Sequence, residues 1–172
     1  MQTVQIHRKV TNLFSLQQLD LTYNQNRFIP FINTAFSLDA FEDIIEEKKK
    51  NYSSDTRFTL VNVLEKQYNE ILLKDSTSKV VENIRLLKEA TTFTITTGHQ
   101  LAAFTGPLYF IYKILHVVKQ CEELKTTYPD QNFVPIYWMA SEDHDYEEIK
   151  SFSIFNRTLT WETHQSGSVG RF

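Results

Sequence analysis

Between residues 91 and 140 a β-branched run, a glycine-bearing loop, a long amphipathic stretch and a second apolar run follow one another. No other part of the chain restricts the fold as tightly. "TTFTITT" (91–97) alternates, with Phe93 and Ile95 on one face and threonines on the other, which predicts a strand. "PLYFIYKILHVVKQCEELKTTYP" predicts a helix, with Pro107 suited to its first turn and Pro129 just beyond its end. At 100° per residue Leu108, Phe110, Ile111, Ile114, Leu115, Val117, Val118, Cys121 and Leu124 cover about half the circumference. So wide an arc predicts burial against more than one neighbour. "FVPIYWMA" (133–140) reads as a strand covered on both faces, with Pro135 tolerated only near its start or at an edge. Together these form a βαβ unit with a parallel sheet and a right-handed crossover.

The residues before this unit read as mostly helical. "FIPFINTAF" is interrupted by Pro30 and predicts extended packing. Ser37 is a candidate N-cap for a helix over about 38–50, with Phe41, Ile44 and Ile45 on its buried side. Phe58, Val61, Leu64, Tyr68, Ile71 and Leu72 recur at helical spacing. "DSTS" (75–78) then breaks the pattern and caps a helix whose Val80, Val81, Ile84, Leu87 and Ala90 face inward. The expected organisation is a mostly helical region over 1–90 and the first part of an α/β core over 91–172. Short strands at "SFSIF" and "TLTWE" lead into "SGSVGR", and the chain stops after a loop that ought to introduce something, which predicts an N-terminal piece of a longer protein.

Composition narrows the class. A net charge of −3 without clustered Lys and Arg argues against nucleic-acid binding, and the run Lys48–Lys50 reads as a solvated helix end. The lone Cys121 excludes an internal disulfide and, lying on the apolar arc, reads as a core residue. No signal peptide or membrane span is legible, so a soluble, cytoplasmic protein without a membrane partner is expected. The sequons at Asn51 and Asn156 carry little weight in that setting. Trp138 and Trp161 read as packing residues, and His7 and His164 have no recognisable partners.

Candidate chemistry gathers at the carboxyl ends of the two strands, where open α/β sheets bind ligands. In "TTGHQLAAFTGPLY" (96–109), Gly98 could take the turn out of the strand and Gly106 could let the chain pass close to an anion. The spacing matches neither GxGxxG nor GxxxxGK[ST], and two turn glycines without a ligand are an equal reading. On the helix, Tyr109, Lys113, His116 and Gln120 form a polar strip. Lys113 lies near the amino end, where a cation meets phosphate or carboxylate, whereas His116 and Gln120 read as a solvated face. "SEDHD" (141–145) reaches the same rim. It could hold a divalent metal or supply a histidine base oriented by a carboxylate, or it could be the acidic first turn of a helix at "YEEIK" capped by Ser141 or Asp143.

"TTGHQLAAFTGPLYFIYKIL", then "VPIYWMASEDHDYEEI", closely resembles the bacillithiol-biosynthesis cysteine-adding enzymes, and "SGSVGR" resembles a further segment of that family. The specific similarity spans roughly residues 91–171, and the combination at these separations is far more specific than any one motif. The resemblance implies a Rossmann-like core, incomplete in this chain, with helical and coiled-coil additions. It implies joining of the cysteine carboxyl group to the amine of glucosaminyl-malate, with a possible homodimer in the full-length protein. ATP is a possible cofactor, and no residue is assigned as a metal ligand. Carried onto this chain, Gly98, Gln100, Gly106, Tyr109 and Glu142 would bind substrate or nucleotide. Lys113 would neutralise oxygens, and Asp143, His144 and Asp145 would bind the amine or manage protons. His99 stands where the family pattern often has glutamine, so no role is carried to it. The isolated chain is expected to have little or no ligase activity. The alternatives are an adenylyl-transferring enzyme with another substrate and a non-catalytic α/β ligand-binding module.

Overall fold

The computed structural model describes residues 6–32, 34, 37–69 and 78–172, and the chain divides into two compact units, Met1–Ser53 and Ser54–Phe172.

In the first unit, helix α1 (Leu16–Tyr23) is closed by a capping box. Ser15 Oγ accepts from the Gln18 amide at 3.2 Å, and Gln18 Oε1 accepts from the Ser15 amide at 2.8 Å. The aperiodic sequence around it gives no other sign of this helix. The "FIPFINTAF" segment is not extended over its described part: a 3-10 turn at Gln25–Phe28 continues through Phe31 N–H and Ile32 N–H, both donating to Phe28 C=O. A proline tolerates such a turn because it needs no N–H of its own. Helix α2 (Phe41–Asn51) starts after the expected cap. Ala40, not Ser37, stands at its N-cap and makes no side-chain bond, and Glu42 and Asp43 in the first turn complement the helix dipole instead. Ile45 is its buried residue, as expected.

The second unit opens with α3 (Ser54–Asn69) and α4 (Lys79–Leu86). Ser78 caps α4 as expected, accepting from Val81 N–H at 3.3 Å. Val61, Ile84, Leu87 and Val134 form a buried cluster flanked by Leu60, Leu64, Tyr68, Val80 and Ile136. Phe58, expected inward, is 66% exposed, and Ala90 is exposed too. The α3 stripe is rotated so that Arg57 is buried in place of Phe58, donating to Leu87 C=O and Ala90 C=O at 3.2 and 3.3 Å, where the backbone leaves α4. Ile71, Leu72 and residues 75–77 lie outside the described residues.

Strands β1 (Thr92–His99) and β2 (Asn132–Met139) pair in parallel, from Thr92 opposite Asn132 to His99 opposite Met139. Helix α5 (Leu108–Thr127) connects them, giving the expected βαβ unit. Residues opposite one another share a face. Val134 and Ile136 therefore meet α3 and α4, while Phe133 and Tyr137 turn to α5, where Phe110 meets Tyr137 at 5.5 Å between ring centroids. Pro135 sits mid-strand opposite Ile95, and β2 is an edge among the described residues, so its missing donor costs no ladder bond on the open side. On α5, Val117, Cys121 and Leu124 are buried. Leu108, Ile111, Leu115 and Val118 of the expected arc are exposed, because the described residues supply the sheet as a neighbour on one side only.

Beyond β2 come a short α6 (Tyr146–Ile149) and an antiparallel hairpin, β3 (Ser151–Ile154) and β4 (Arg157–Thr160). Its two-residue turn places Phe155 and Asn156 at φ +48° and +61°, the left-handed pair that matches strand twist. No helix among the described residues is long and apolar enough to cross a membrane.

Candidate functional site

Parallel pairing in register brings the carboxyl ends of β1 and β2 to one rim, so the glycine loop and the acidic loop leave the sheet side by side. Ala140 N–H donates to His99 C=O at 3.1 Å where the two loops begin. Gln100 reaches across and donates from Nε2 to Glu148 Oε2 of α6.

The two glycines act in different ways. Gly98 makes no turn but lies inside β1, where a Cβ would come 2.9 Å from Trp138 O and 3.2 Å from Trp138 Cβ on the opposite strand. Its absent side chain allows the strands to approach. Gly106, at φ +60° and ψ −154°, occupies a region close to glycine-only, and a Cβ there would meet Ala102 Cβ at 2.7 Å. Phe104 and Thr105, just before it, also have positive φ (51° and 70°). Three consecutive left-handed residues are a costly way to connect a strand to a helix, and Phe104 ends up 78% exposed.

That loop walls a cleft of about 660 Å³ against the β3 side. Phe104 and Phe152 pack against each other in its wall, 4.8 Å between ring centroids, with Ile149, Ile154 and Pro107 adding apolar surface. Its polar groups are His99, Tyr109, Glu148, Ser151 and Ser153. Because Pro107 is the N-cap of α5, Tyr109 falls in the first turn and points back to the strand end. Its hydroxyl lies 2.6 Å from His99 Nε2, while His99 Nδ1 lies 2.9 Å from Gln100 O.

Of the residues singled out in the sequence, Gly106 and Tyr109 line this cleft. Lys113 is on the same end of α5 but turned inward, donating to Gly98 C=O at 2.5 Å, with its ammonium 5.8 Å from the Tyr109 ring centroid. It caps a carbonyl at the end of β1. The acidic loop satisfies itself. Asp143 Oδ1 accepts from the His144 and Asp145 amides at 2.6 and 3.2 Å, and Asp145, rather than Ser141 or Asp143, caps α6 through Glu148 N–H at 3.4 Å. Glu142 Oε1 accepts from Trp138 Nε1 at 3.1 Å, and Trp138, expected to be packed, is 60% exposed. His144 is exposed and its ring is bonded to none of the described residues. The carboxyl-terminal segment latches this loop: Val169 N–H donates to Asp143 C=O at 2.8 Å and Gly170 N–H to Ser141 C=O at 2.9 Å. No group of three or more His, Cys, Asp or Glu among the described residues converges to hold a metal.

His99, Phe104, Glu148 and Phe152 carry no signal in the sequence that singles them out. His99 and Tyr109 stand ten residues apart across a strand, a strained loop and a helix start, a separation that no helix or strand period relates. The residues of "SFSIF" read as a plain strand. Elsewhere, His7, which showed no partner in the sequence, stacks on Tyr23 at 4.4 Å. Cys121 is buried, and burial, helped by the charge of Glu122, pushes its thiol up to about 11, as befits a core residue rather than a nucleophile.

Residues 1–172 match the family model described as "Bacillithiol biosynthesis BshC, N-terminal Rossmann-like domain". A Flavobacterium psychrophilum protein named "Putative cysteine ligase BshC" is 52% identical over 136 residues, which cover 78% of this chain and 25% of that protein. A protein of the same name from Cytophaga hutchinsonii is 45% identical over 159 residues, 92% of this chain and 30% of that protein. The chain therefore spans between a quarter and a third of the length of these relatives.

Proposed function

We propose, from the premise that this chain belongs to the BshC family of bacillithiol biosynthesis as its N-terminal Rossmann-like domain, that it supplies part of the site joining cysteine to glucosaminyl-malate. The observation that carries this reading is the family match over the whole of residues 1–172. The shared rim of the glycine loop and the acidic loop supports it further.

Amide formation needs a bound amine, a proton acceptor for it and an activated carboxyl group, because a carboxylate and an ammonium do not condense unaided in water. The rim is suited to the amine. Asp143 and Asp145 each engage backbone amides through one carboxylate oxygen, which leaves the other to face an ammonium group. His144 stands exposed between them as a proton acceptor, and Glu142 adds negative charge. Gly98, Gln100, Gly106 and Tyr109 shape the other side, and Lys113 would meet a substrate carboxylate on leaving Gly98 O. A triphosphate fits the cleft poorly: none of its lining residues is Lys or Arg, and Glu148 would repel it.

The test replaces the matching segment of the F. psychrophilum relative with this chain. The chimera should form bacillithiol from cysteine and glucosaminyl-malate, and Asp143→Ala with Asp145→Ala should lower kcat/KM by about a hundredfold, the range of a lost charged contact pair. Unchanged turnover in that double variant would overturn the assignment of the rim. The 172-residue chain alone should make no detectable bacillithiol, and calorimetric titration of it with cysteine, glucosaminyl-malate and ATP shows which ligands this part binds. Heat from ATP alone would favour a nucleotide-handling enzyme of other specificity.

A further inference from the structure

We infer that the outer edge of β3 is a docking edge for an extended segment of the further chain carried by the longer relatives. That segment enters the cleft and adds a third strand to the β3–β4 hairpin. This goes beyond the reading above and does not depend on the ligase chemistry.

The hairpin's own hydrogen bonds fix which groups are left over. Trp161 N–H donates to Lys150 C=O at 2.7 Å, which makes these two residues a bonded pair at the open end of the hairpin. Bonded and non-bonded pairs alternate along an antiparallel ladder, so the register makes Phe152–Leu159 and Ile154–Arg157 bonded pairs too. Ser151 and Ser153 stand at the non-bonded pairs, and their N–H and C=O groups point away from β4. Ser153 Oγ accordingly lies 3.1 Å from Thr158 Oγ1, as the closer side chains of such a pair allow. The outward groups of both serines bond to no other backbone group among the described residues.

That edge faces the cleft. Successive strand residues point to opposite faces, so a cavity against one face of β3 would be lined by alternate residues. Instead Ser151, Phe152, Ser153 and Ile154 all line it, and no β4 residue does. The cavity therefore meets β3 edge-on. The two serines repeat their donor and acceptor about 7 Å apart, the two-residue repeat of an extended backbone. Four residues of strand, at the usual rise, strand spacing and sheet thickness, fill about 600 Å³, and the cleft holds about 660 Å³. Glu148, the one charged carboxylate among the described lining residues, already accepts from Gln100 Nε2. The space thus suits neutral backbone with apolar side chains, which Phe104, Pro107 and Ile149 would cover.

β3 also lacks what a solvent-facing edge carries. Its sequence, "SFSI", has neither proline nor any charge, and such an edge invites pairing. A pairing this short is too weak to hold a free peptide against the cost of ordering it, whereas a tethered segment acts at a local concentration of about millimolar or above. The relatives carry such chain, since this one covers 25% and 30% of the two named above and matches an N-terminal domain. Phe172 packs against Tyr146 and Trp161 at 5.4 and 6.1 Å between ring centroids. Tyr146 opens α6, whose Glu148 and Ile149 line the cleft. Residues that follow this region in the relatives therefore leave beside the cleft.

The test compares amide hydrogen exchange, read at single residues, in the 172-residue chain and in the chimera with the F. psychrophilum relative. In the chain alone Ser151 and Ser153 should exchange as open amides, while Phe152 and Ile154, inside the ladder, exchange more slowly. In the chimera both serines should slow by about tenfold or more, the worth of one hydrogen bond each. Ser153→Pro in the chimera should return Ser151 to the open rate, because it removes an outward donor. It should leave Phe152 and Ile154 protected, because Ser153 donates nothing to β4. Equal exchange at the two serines in the unsubstituted chain and chimera overturns the inference, and this comparison needs no variant to fold. Slowing in the chain alone that grows with its concentration also overturns it, because a second copy would then be the occupant. A chimera that protects both serines but makes no bacillithiol leaves the docking edge standing and refutes the ligase reading instead.

Discussion

The two loops at the sheet rim solve the same problem, leaving a parallel strand, in opposite ways. The glycine loop holds Phe104, Thr105 and Gly106 at positive φ and leaves a large aromatic exposed at its crest. The acidic loop satisfies its own backbone amides with Asp143 and Asp145 and is latched from outside by Val169 and Gly170. One loop stores strain and opens a cleft, whereas the other spends its polar groups on local order. Strained backbone gathers at ligand clamps and active sites, while a charged cluster can also serve as a structural device that caps its own turns.

The largest expected effect breaks this contrast at Gly106. Gly106→Ala puts a side chain in a nearly forbidden conformation and drives its Cβ to 2.7 Å from Ala102 Cβ, so it should cost about 3 kcal/mol and lower Tm by roughly 10 °C. A thermal melt showing no loss would mean that the loop relaxes and stores no strain. Gly170→Ala comes next. Its Cβ would lie 2.5 Å from Ser141 Cβ and 2.7 Å from Ser141 O, so the latch must open, at about 1–2 kcal/mol. Amide exchange should quicken at Val169 and Gly170, whose N–H groups donate to Asp143 C=O and Ser141 C=O, but not at Gly98 or His99. Removing a cap is milder: Asp145→Ala should cost about 1 kcal/mol in denaturant titration. An effect below ~0.3 kcal/mol would show that the acidic loop is not self-supporting and would blur the comparison.

Sequence patterning made the βαβ unit legible, because alternation in 91–97 and the helical period in 107–128 are each imposed by a single buried face. It made Cys121 and the Ser78 cap legible for the same local reasons. It failed where the deciding partner is distant in the chain. Gly98 read as a turn residue because nothing near it reveals Trp138 across the sheet. Phe58 and Trp138 read as core because an apolar side chain states a preference for burial, not what covers it. The rim itself was legible, since parallel strands deliver their following loops to one end. The cleft was not, because its far wall comes from a hairpin whose docking leaves no period in the sequence.

Cys121 gives the smallest effect and the sharpest discrimination, since α5 starts directly after the glycine loop. Its thiol is raised from the ordinary 9.0 to about 11, chiefly by burial. At a given pH below about 9 its thiolate fraction is therefore roughly a hundredfold below that of a free thiol, because the fraction ionised falls tenfold each time the pKa rises by one. Alkylation at about pH 8 should accordingly be slow in the folded chain and become fast only when α5 lifts from the sheet. Because the folded pKa lies above the unfolded one, this group's contribution to stability is full below the ordinary thiol value of 9.0 and is lost as pH climbs toward about 11. The sign fixes the outcome: alkylation and unfolding should both accelerate across that window. At about pH 8, Gly106→Ala should speed Cys121 labelling by about tenfold or more, as its loss of stability favours the open helix, whereas Asp145→Ala should leave it within about twofold of the original chain. Equal acceleration in both would show that the two loops open as one cooperative unit, and the division between a strained loop and a self-satisfied one would lose its physical basis.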